Sequence, residues 1–186
     1  MAYRMAPLPR IYDCYLLQSY RKNNSLLSFL LDRHLIAKQQ HGFIRRKSVC
    51  TNLLESLEDW TLNLQSKLVT DVIFFDFKKA FDTVCHYKLL AMLKCYGICG
   101  NLLAWIEAFL LGRRQSVRIG DTVSTSIPVI SDGVPQGSVL GPTLFSLYIN
   151  DVVDIFSGLC VSVSLFADDL IPVTNWMFHI MIYKLR

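Results

Sequence analysis

Three carboxylates at two places in the chain could do chemistry together. Asp168 and Asp169 stand side by side after the apolar run Val161, Val163, Leu165 and Phe166, and Asp76 follows directly on Val72-Ile73-Phe74-Phe75. Adjacent ionised carboxylates repel unless a cation is shared between them or water screens them. Each place also has an ordinary explanation: aspartate favours hairpin turns, and Asp76 could cap the helical turn that follows it. Both, however, stand where an apolar strand ends, and an antiparallel sheet can bring such ends together. Carboxylates gathered at one sheet rim require a hard cation. Mg²⁺ suits them, because it takes oxygen ligands and completes its shell with water and substrate phosphates. The chemistry expected is phosphoryl transfer, with two metals at Asp76 and Asp168 clamping the attacking and leaving oxygens.

The elements that must position these groups follow from periodicity. Asp13 to Lys38 has helical spacing of leucines with a break at Asn23-Asn24-Ser25, and Gln39 to Ser48 reads as a polar, basic loop. A helix over Asn52 to Leu64 is expected to turn Leu53, Leu54, Leu57, Trp60 and Leu64 inward. Val72 to Phe75 is apolar throughout, as a strand covered on both faces would be. Tyr87 to Tyr96 and Asn101 to Leu111 read as helices stopped by Gly97 and Gly112. Arg114 to Ile119 and Thr122 to Val129 alternate around Gly120-Asp121 as a hairpin does. Gly133 to Ser138 is a loop, Thr143 to Phe156 a helix, and Val161 to Phe166 with Leu170 to Thr174 two short strands around the paired aspartates. This order describes an α+β fold rather than alternating βαβ units.

Bulk properties bound the class. With 52% hydrophobic and 18% charged residues the chain can bury a core, which excludes wholesale disorder. A net charge of +4 is compatible with a nucleic-acid partner without requiring one. No stretch has the roughly 18 to 20 continuous apolar residues of a membrane span, and the start, MAYRMAPLPR, lacks the apolar core of a secretion signal. The cysteines Cys14, Cys50, Cys85, Cys95, Cys99 and Cys160 form no CxxC pair, so they read as reduced, buried thiols in an intracellular protein.

Four blocks then occur in a telling order: FFDFKKAFDTV (Phe74 to Val84), YGICGNLLAWIEAFLLGRRQSV (Tyr96 to Val117), SDGVPQGSVLGPTLFSLYIND (Ser131 to Asp151) and FADD (Phe166 to Asp169). Together with QQHGFIRRKS (Gln39 to Ser48), they resemble the reverse transcriptases of non-LTR, LINE-type retrotransposons. The resemblance implies a right-hand polymerase palm, an antiparallel sheet packed on helices, with a partial fingers region and no thumb. Its divisions would be 1–38 for part of the fingers, 39–174 for the palm and the remaining fingers, and 175–186 for an aberrant tail.

The resemblance also implies roles. Asp76 and Asp168 would bind two Mg²⁺ ions, with Mn²⁺ as a substitute; Asp169 would support the catalytic site, and Phe77 would lend its main-chain carbonyl. Phe81 would be the gate under the sugar of the incoming nucleotide, with Ala80 keeping the floor low. Without the family, Phe81 reads as a core aromatic paired with Phe77 at helical spacing. Gln136 and Gly137 would face the nucleotide, although a tight turn before a helix also wants these residue types. Arg45, Arg46, Lys47, Arg113 and Arg114 are candidates for phosphate contacts to template or primer, or else simply solvated charges.

The implied activity is RNA-directed DNA synthesis from deoxynucleoside triphosphates on an RNA template and a DNA primer, in nucleus or cytoplasm and with no membrane partner. The chain departs from the family at both ends: the basic fingers block upstream and the lysine-bearing segment and thumb downstream are not recognised. The alternative reading is therefore an inactive retroelement remnant that keeps only nucleic-acid binding. A palm-like nucleotide cyclase is a third, opposed by the Gly133 to Ser138 block and by Gly112-Arg113-Arg114-Gln115.

Overall fold

The computed structural model describes residues 25–129, 132–159 and 161–175. The helix expected before position 25, its break at Asn23-Asn24, Cys14, Cys160 and the tail beyond Asn175 lie outside them. The elements are α1 (25–32), α2 (Val49–Gln65), β1 (Thr70–Val72), a 3₁₀ turn (Ala80–Thr83), α3 (His86–Cys95), α4 (Gly100–Leu110), β2 (Arg114–Gln115), β3 (Arg118–Ile119), β4 (Thr122–Val123), β5 (Ile127–Pro128), α5 (Gly141–Tyr148), a second 3₁₀ segment (Asn150–Phe156), β6 (Val161–Phe166) and β7 (Asp169–Asn175). Mixed helices and antiparallel strands make the fold α+β. The described residues fall into two compact units, 25–29 with 81–141 and 30–80 with 142–175.

In the unit holding 81–141, α3 packs on α4 through Leu89, Leu93, Ile106 and Leu110, all fully buried. Each helix ends where the sequence places a glycine, with Gly97 at φ 82° and Gly112 at φ 65°, because only glycine enters that region without a Cβ penalty. The expected hairpin forms in two pieces. Arg118 pairs with Val123 and Arg114 with Pro128, and the register slips by one residue between them, as a bulge on the second strand requires.

The other unit is built on an antiparallel sheet of order β1-β7-β6. Leu165 and Leu170, directly paired, are buried on one face of the sheet and Val173 on the other, and Leu30, Leu144, Phe145 and Leu147 are buried in the same unit. Two expectations fail here. Val72 to Phe75 is not covered on both faces, since Phe74 is 46% exposed. The helix expected to run to Phe156 gives way to 3₁₀ geometry at Asn150, whose side chain instead accepts from the Ala37 amide at 2.7 Å and donates to the Leu35 carbonyl at 3.1 Å.

Helix α2 corrects the sequence reading most sharply. Leu53, Leu54, Leu57 and Leu64 are exposed, between 48% and 71%, while the polar Asn52 and Ser56 are buried. The reason is the partner. Asn52 Nδ2 donates to Ser164 Oγ at 2.6 Å and to the Leu165 carbonyl at 3.1 Å, so a small polar stripe brings the helix close against β6. Ser48 caps the helix in a reciprocal pair with Thr51, an arrangement worth ~1 kcal/mol. The polar, basic loop expected before it is present and packs inward at two positions, since Gln40 and His41 are 2% and 1% exposed. Among the cysteines, Cys50, Cys95 and Cys99 are exposed rather than buried, and all four described ones are free.

Candidate active site

The carboxylates meet through register. β1 pairs with β7 from Thr70↔Asn175 to Val72↔Val173, and the pairing resumes at Phe75↔Leu170, where the Phe75 amide donates to the Leu170 carbonyl at 2.9 Å. The next position along that ladder sets Asp76 opposite Asp169. β6 pairs with β7 down to Phe166↔Asp169, leaving Ala167 and Asp168 as the whole of the turn. Asp76, Asp168 and Asp169 thus share one end of the sheet.

Their charges are felt there. The Asp169 carboxyl is held above its ordinary value, first by partial desolvation and then by the negative charges of Asp168 and Asp76. Oxygen-only donors that repel one another are the chemistry a hard divalent cation relieves. Among the described residues no three histidine, cysteine, aspartate or glutamate side chains are grouped closely enough to hold a metal between them. The Asp76 and Asp168 carboxylates, with a main-chain carbonyl such as that of Phe77, are the groups at this sheet end that could hold Mg²⁺ with water or phosphate oxygens completing its shell. An open hollow of about 440 Å³ lies at the other end of β6, along Val161 to Val163, and is not part of this cluster.

The turn itself is strained. Ala167 has φ 57°, a conformation that costs a residue with a Cβ about 1–2 kcal/mol and that hairpins usually give to glycine or asparagine. It is also 5% exposed. Non-glycine residues held this way persist only where their surroundings fix them.

The nucleotide candidates divide between the units. Phe77 is 37% exposed and Ala80 half-buried in the unit that carries the carboxylates. Phe81, Gln136 and Gly137 belong to the other. There, the Phe81 carbonyl accepts from the Val134 amide at 2.9 Å, and Gln136 Nε2 donates to Asp82 Oδ1 at 2.9 Å. Gly133, at φ 105°, lies so near Asp82 that a Cβ would stand 2.7 Å from its Cα. The 3₁₀ turn and the Gly133 loop thus form one tied substructure. His86 joins it by donating from Nε2 to the Gly133 carbonyl at 2.7 Å. Neither His86 nor His41 stands out in the sequence: His86 opens α3, and His41 lies in the loop before α2.

The basic candidates have different fates. Arg113 is half-buried and donates to the Leu110 carbonyl at 2.9 Å and the Gly133 carbonyl at 3.0 Å, and desolvation lowers its pKa. Arg114 is exposed and braces the β2–β5 hairpin by donating to Ser126. Lys47 donates to the Lys38 carbonyl, with its pKa lowered by burial against an opposing pull from Glu55. Arg45 and Arg46 are exposed.

Comparison with known proteins identifies the family. The model of the family described as reverse transcriptase (RNA-dependent DNA polymerase) matches residues 9–177. The chain is 35% identical over 146 residues to the RNA-directed DNA polymerase from mobile element jockey of Drosophila funebris, covering 75% of this chain and 16% of that protein. It is 32% identical over 127 residues to the probable RNA-directed DNA polymerase from transposon X-element of Drosophila melanogaster, covering 68% and 14%. A Pol polyprotein from the type-1 retrotransposable element R2 of Popillia japonica is 30% identical over 83 residues, covering 45% and 14%. The match thus spans between about a seventh and a sixth of the length of such relatives. With blocks and family model in agreement, the chain belongs to the reverse transcriptase (RNA-dependent DNA polymerase) family, and the relatives named here come from mobile elements.

Proposed function

We propose that this chain carries the catalytic palm of an RNA-directed DNA polymerase, joining the 3′-oxygen of a DNA primer to the α-phosphorus of a deoxynucleoside triphosphate on an RNA template and expelling pyrophosphate. The observation that carries the reading is the shared sheet end of Asp76, Asp168 and Asp169, with the Asp169 carboxyl raised by its neighbours' charge. Asp76, Asp168 and the Phe77 carbonyl would hold two Mg²⁺ or Mn²⁺ ions, which when bound lower the pKa of the attacking hydroxyl and neutralise the departing pyrophosphate. Asp169 raises the local negative potential and so favours cation entry. Phe81 sets the room under the sugar, and Ala80 keeps the neighbouring floor low. Gln136 and Gly137 present the nucleotide-facing loop, which the Asp82 contact keeps in place.

In this reading the β1-β7-β6 sheet is the palm floor within 39–174, and residues before 39 belong to the fingers. Arg45 and Arg46 contact nucleic-acid phosphates, whereas Arg113 chiefly holds the Gly133 loop. RNA, deoxynucleotides and Mg²⁺ are all supplied inside cells, so the site of action is intracellular. Primer extension on an RNA template tests the reading: Mg²⁺-dependent incorporation by the full chain, lost to background in Asp168→Ala, is expected. Incorporation that survives the substitution rules the role out. The exposed Arg45 and Arg46 also fit one other reading, nucleic-acid binding without synthesis. Salt-dependent RNA binding with no incorporation would select it.

A further inference from the structure

The buried amide of Gln40, within the Gln39 to Ser48 segment, has a place in the structure that none of the site roles given above accounts for. Gln40 is 2% exposed and lies in the same compact unit as the carboxylates. Its Oε1 accepts from the Ala167 amide at 2.9 Å and from the Gly42 amide at 2.7 Å. Its Nε2 donates to the Ala167 carbonyl at 3.3 Å. The main-chain N–H and C=O of Ala167, in the two peptide groups flanking its Cα, are therefore both engaged by one side chain, at the residue whose φ of 57° is sterically disfavoured and which immediately precedes Asp168. Only this amide orientation works, because two main-chain N–H groups need an acceptor and the carbonyl needs a donor.

The surroundings hold the clamp itself in place. The Gln39 carbonyl accepts from the Leu165 amide at 3.1 Å and the His41 amide donates to the Leu165 carbonyl at 2.8 Å, so the segment runs as a short parallel bridge beside β6. Gly42 is required for the approach, since a Cβ there would come within 2.8 Å of Ala167 Cα. His41 in turn is bonded to Thr51 Oγ1 at 2.9 Å and Glu55 Oε2 at 3.1 Å, which anchors the segment on α2.

We propose that Gln40 is a positioning residue: its amide holds Ala167 in the left-handed turn that presents Asp168 beside Asp76 and Asp169. Fixing the peptide before Asp168 fixes where that carboxylate's Cα and Cβ point, which a hairpin tip of two residues would otherwise leave to fluctuate. The inference rests on the reading of Asp76 and Asp168 as divalent-cation ligands. It names the group that sets their geometry.

The test uses the full chain, with Mn²⁺ as the probe, binding followed by electron paramagnetic resonance, and amide hydrogen exchange read at Ala167. Gln40→Met should keep the circular-dichroism spectrum, weaken Mn²⁺ binding severalfold or more, and lose protection at the Ala167 amide. Gln40→Glu, nearly the same shape, should behave alike because its second oxygen faces the Ala167 carbonyl with no hydrogen to give; it also stands in should Gln40→Met fail to fold. Adding Ala167→Gly to Gln40→Met should recover part of the Mn²⁺ affinity, since glycine enters the turn at no steric cost, and a merely structural glutamine would show no such rescue. Mn²⁺ binding that Asp168→Asn abolishes but Gln40→Met leaves unchanged overturns the proposal alone. A wild-type chain that binds no Mn²⁺, or an Asp168→Asn chain that binds as tightly, removes the cation reading and this proposal with it.

Discussion

Asp169 shows how a single carboxyl records the purpose of its surroundings. Since the folded chain holds its proton more tightly than the unfolded chain does, folding binds protons between the ordinary value of 3.8 and the raised folded value. Stability from this group is therefore greatest below 3.8 and is lost as pH rises through that window. Asp169→Asn should raise the thermal midpoint at neutral pH in metal-free buffer, and the difference from wild type should vanish in acid. The gain is expected to stay below about 1 kcal/mol, because an exposed carboxylate is screened by water. Differential scanning calorimetry of the two chains across pH checks it. Gly133 is the opposite case, a residue fixed by space rather than charge. With φ at 105° and Asp82 main-chain atoms where a Cβ would go, Gly133→Ala should cost about 2–4 kcal/mol in urea unfolding.

At the scale of elements, α2 inverts the usual rule that a helix turns its leucines to the core. Its contact with β6 is made by Asn52 and Ser56, with Asn52 donating twice at the strand that leads to Asp168. Asn52→Ala should then cost about 1–3 kcal/mol, because the Leu165 carbonyl loses a buried donor. Leu57→Gln, on the exposed side, should change stability by no more than ~0.5 kcal/mol. Chemical denaturation of both variants distinguishes this packing from an ordinary leucine-inward helix, for which the ranking would reverse. The exposed leucines also make concentration-dependent association expected, which Leu57→Gln should weaken in sedimentation.

For the whole molecule, a net charge of +4 matters less than which cations are free to use. Arg113 is committed to main-chain carbonyls and Arg114 to Ser126, while Arg45 and Arg46 are exposed. RNA binding should weaken with salt, and the double variant Arg45→Ala with Arg46→Ala should reduce the logarithmic slope by about 1 to 1.5, given ~0.7 per contact on single strands. Arg113→Ala should leave that slope unchanged and lower the thermal midpoint instead. Filter binding across salt concentrations, beside thermal melts, separates the two. Among the described residues no helix is long and apolar enough to cross a membrane.

What the sequence determined by itself was whatever depends on neighbours along the chain. Glycine stops at Gly97 and Gly112, the strands flanking Ala167-Asp168, the loop at Gly133 and the ordered family blocks are local in this sense, since backbone freedom and side-chain alternation act over a few residues. Tertiary structure alone decided what depends on remote partners. It set Asp76 opposite Asp169 through a ladder that joins residues far apart in the chain, buried Gln40 and His41 in a segment whose composition is that of a solvated loop, and turned Asn52 rather than Leu57 toward β6. The physical reason is the same in each case: a polar group goes inside only where a matching donor or acceptor awaits it, and that partner is supplied by the fold.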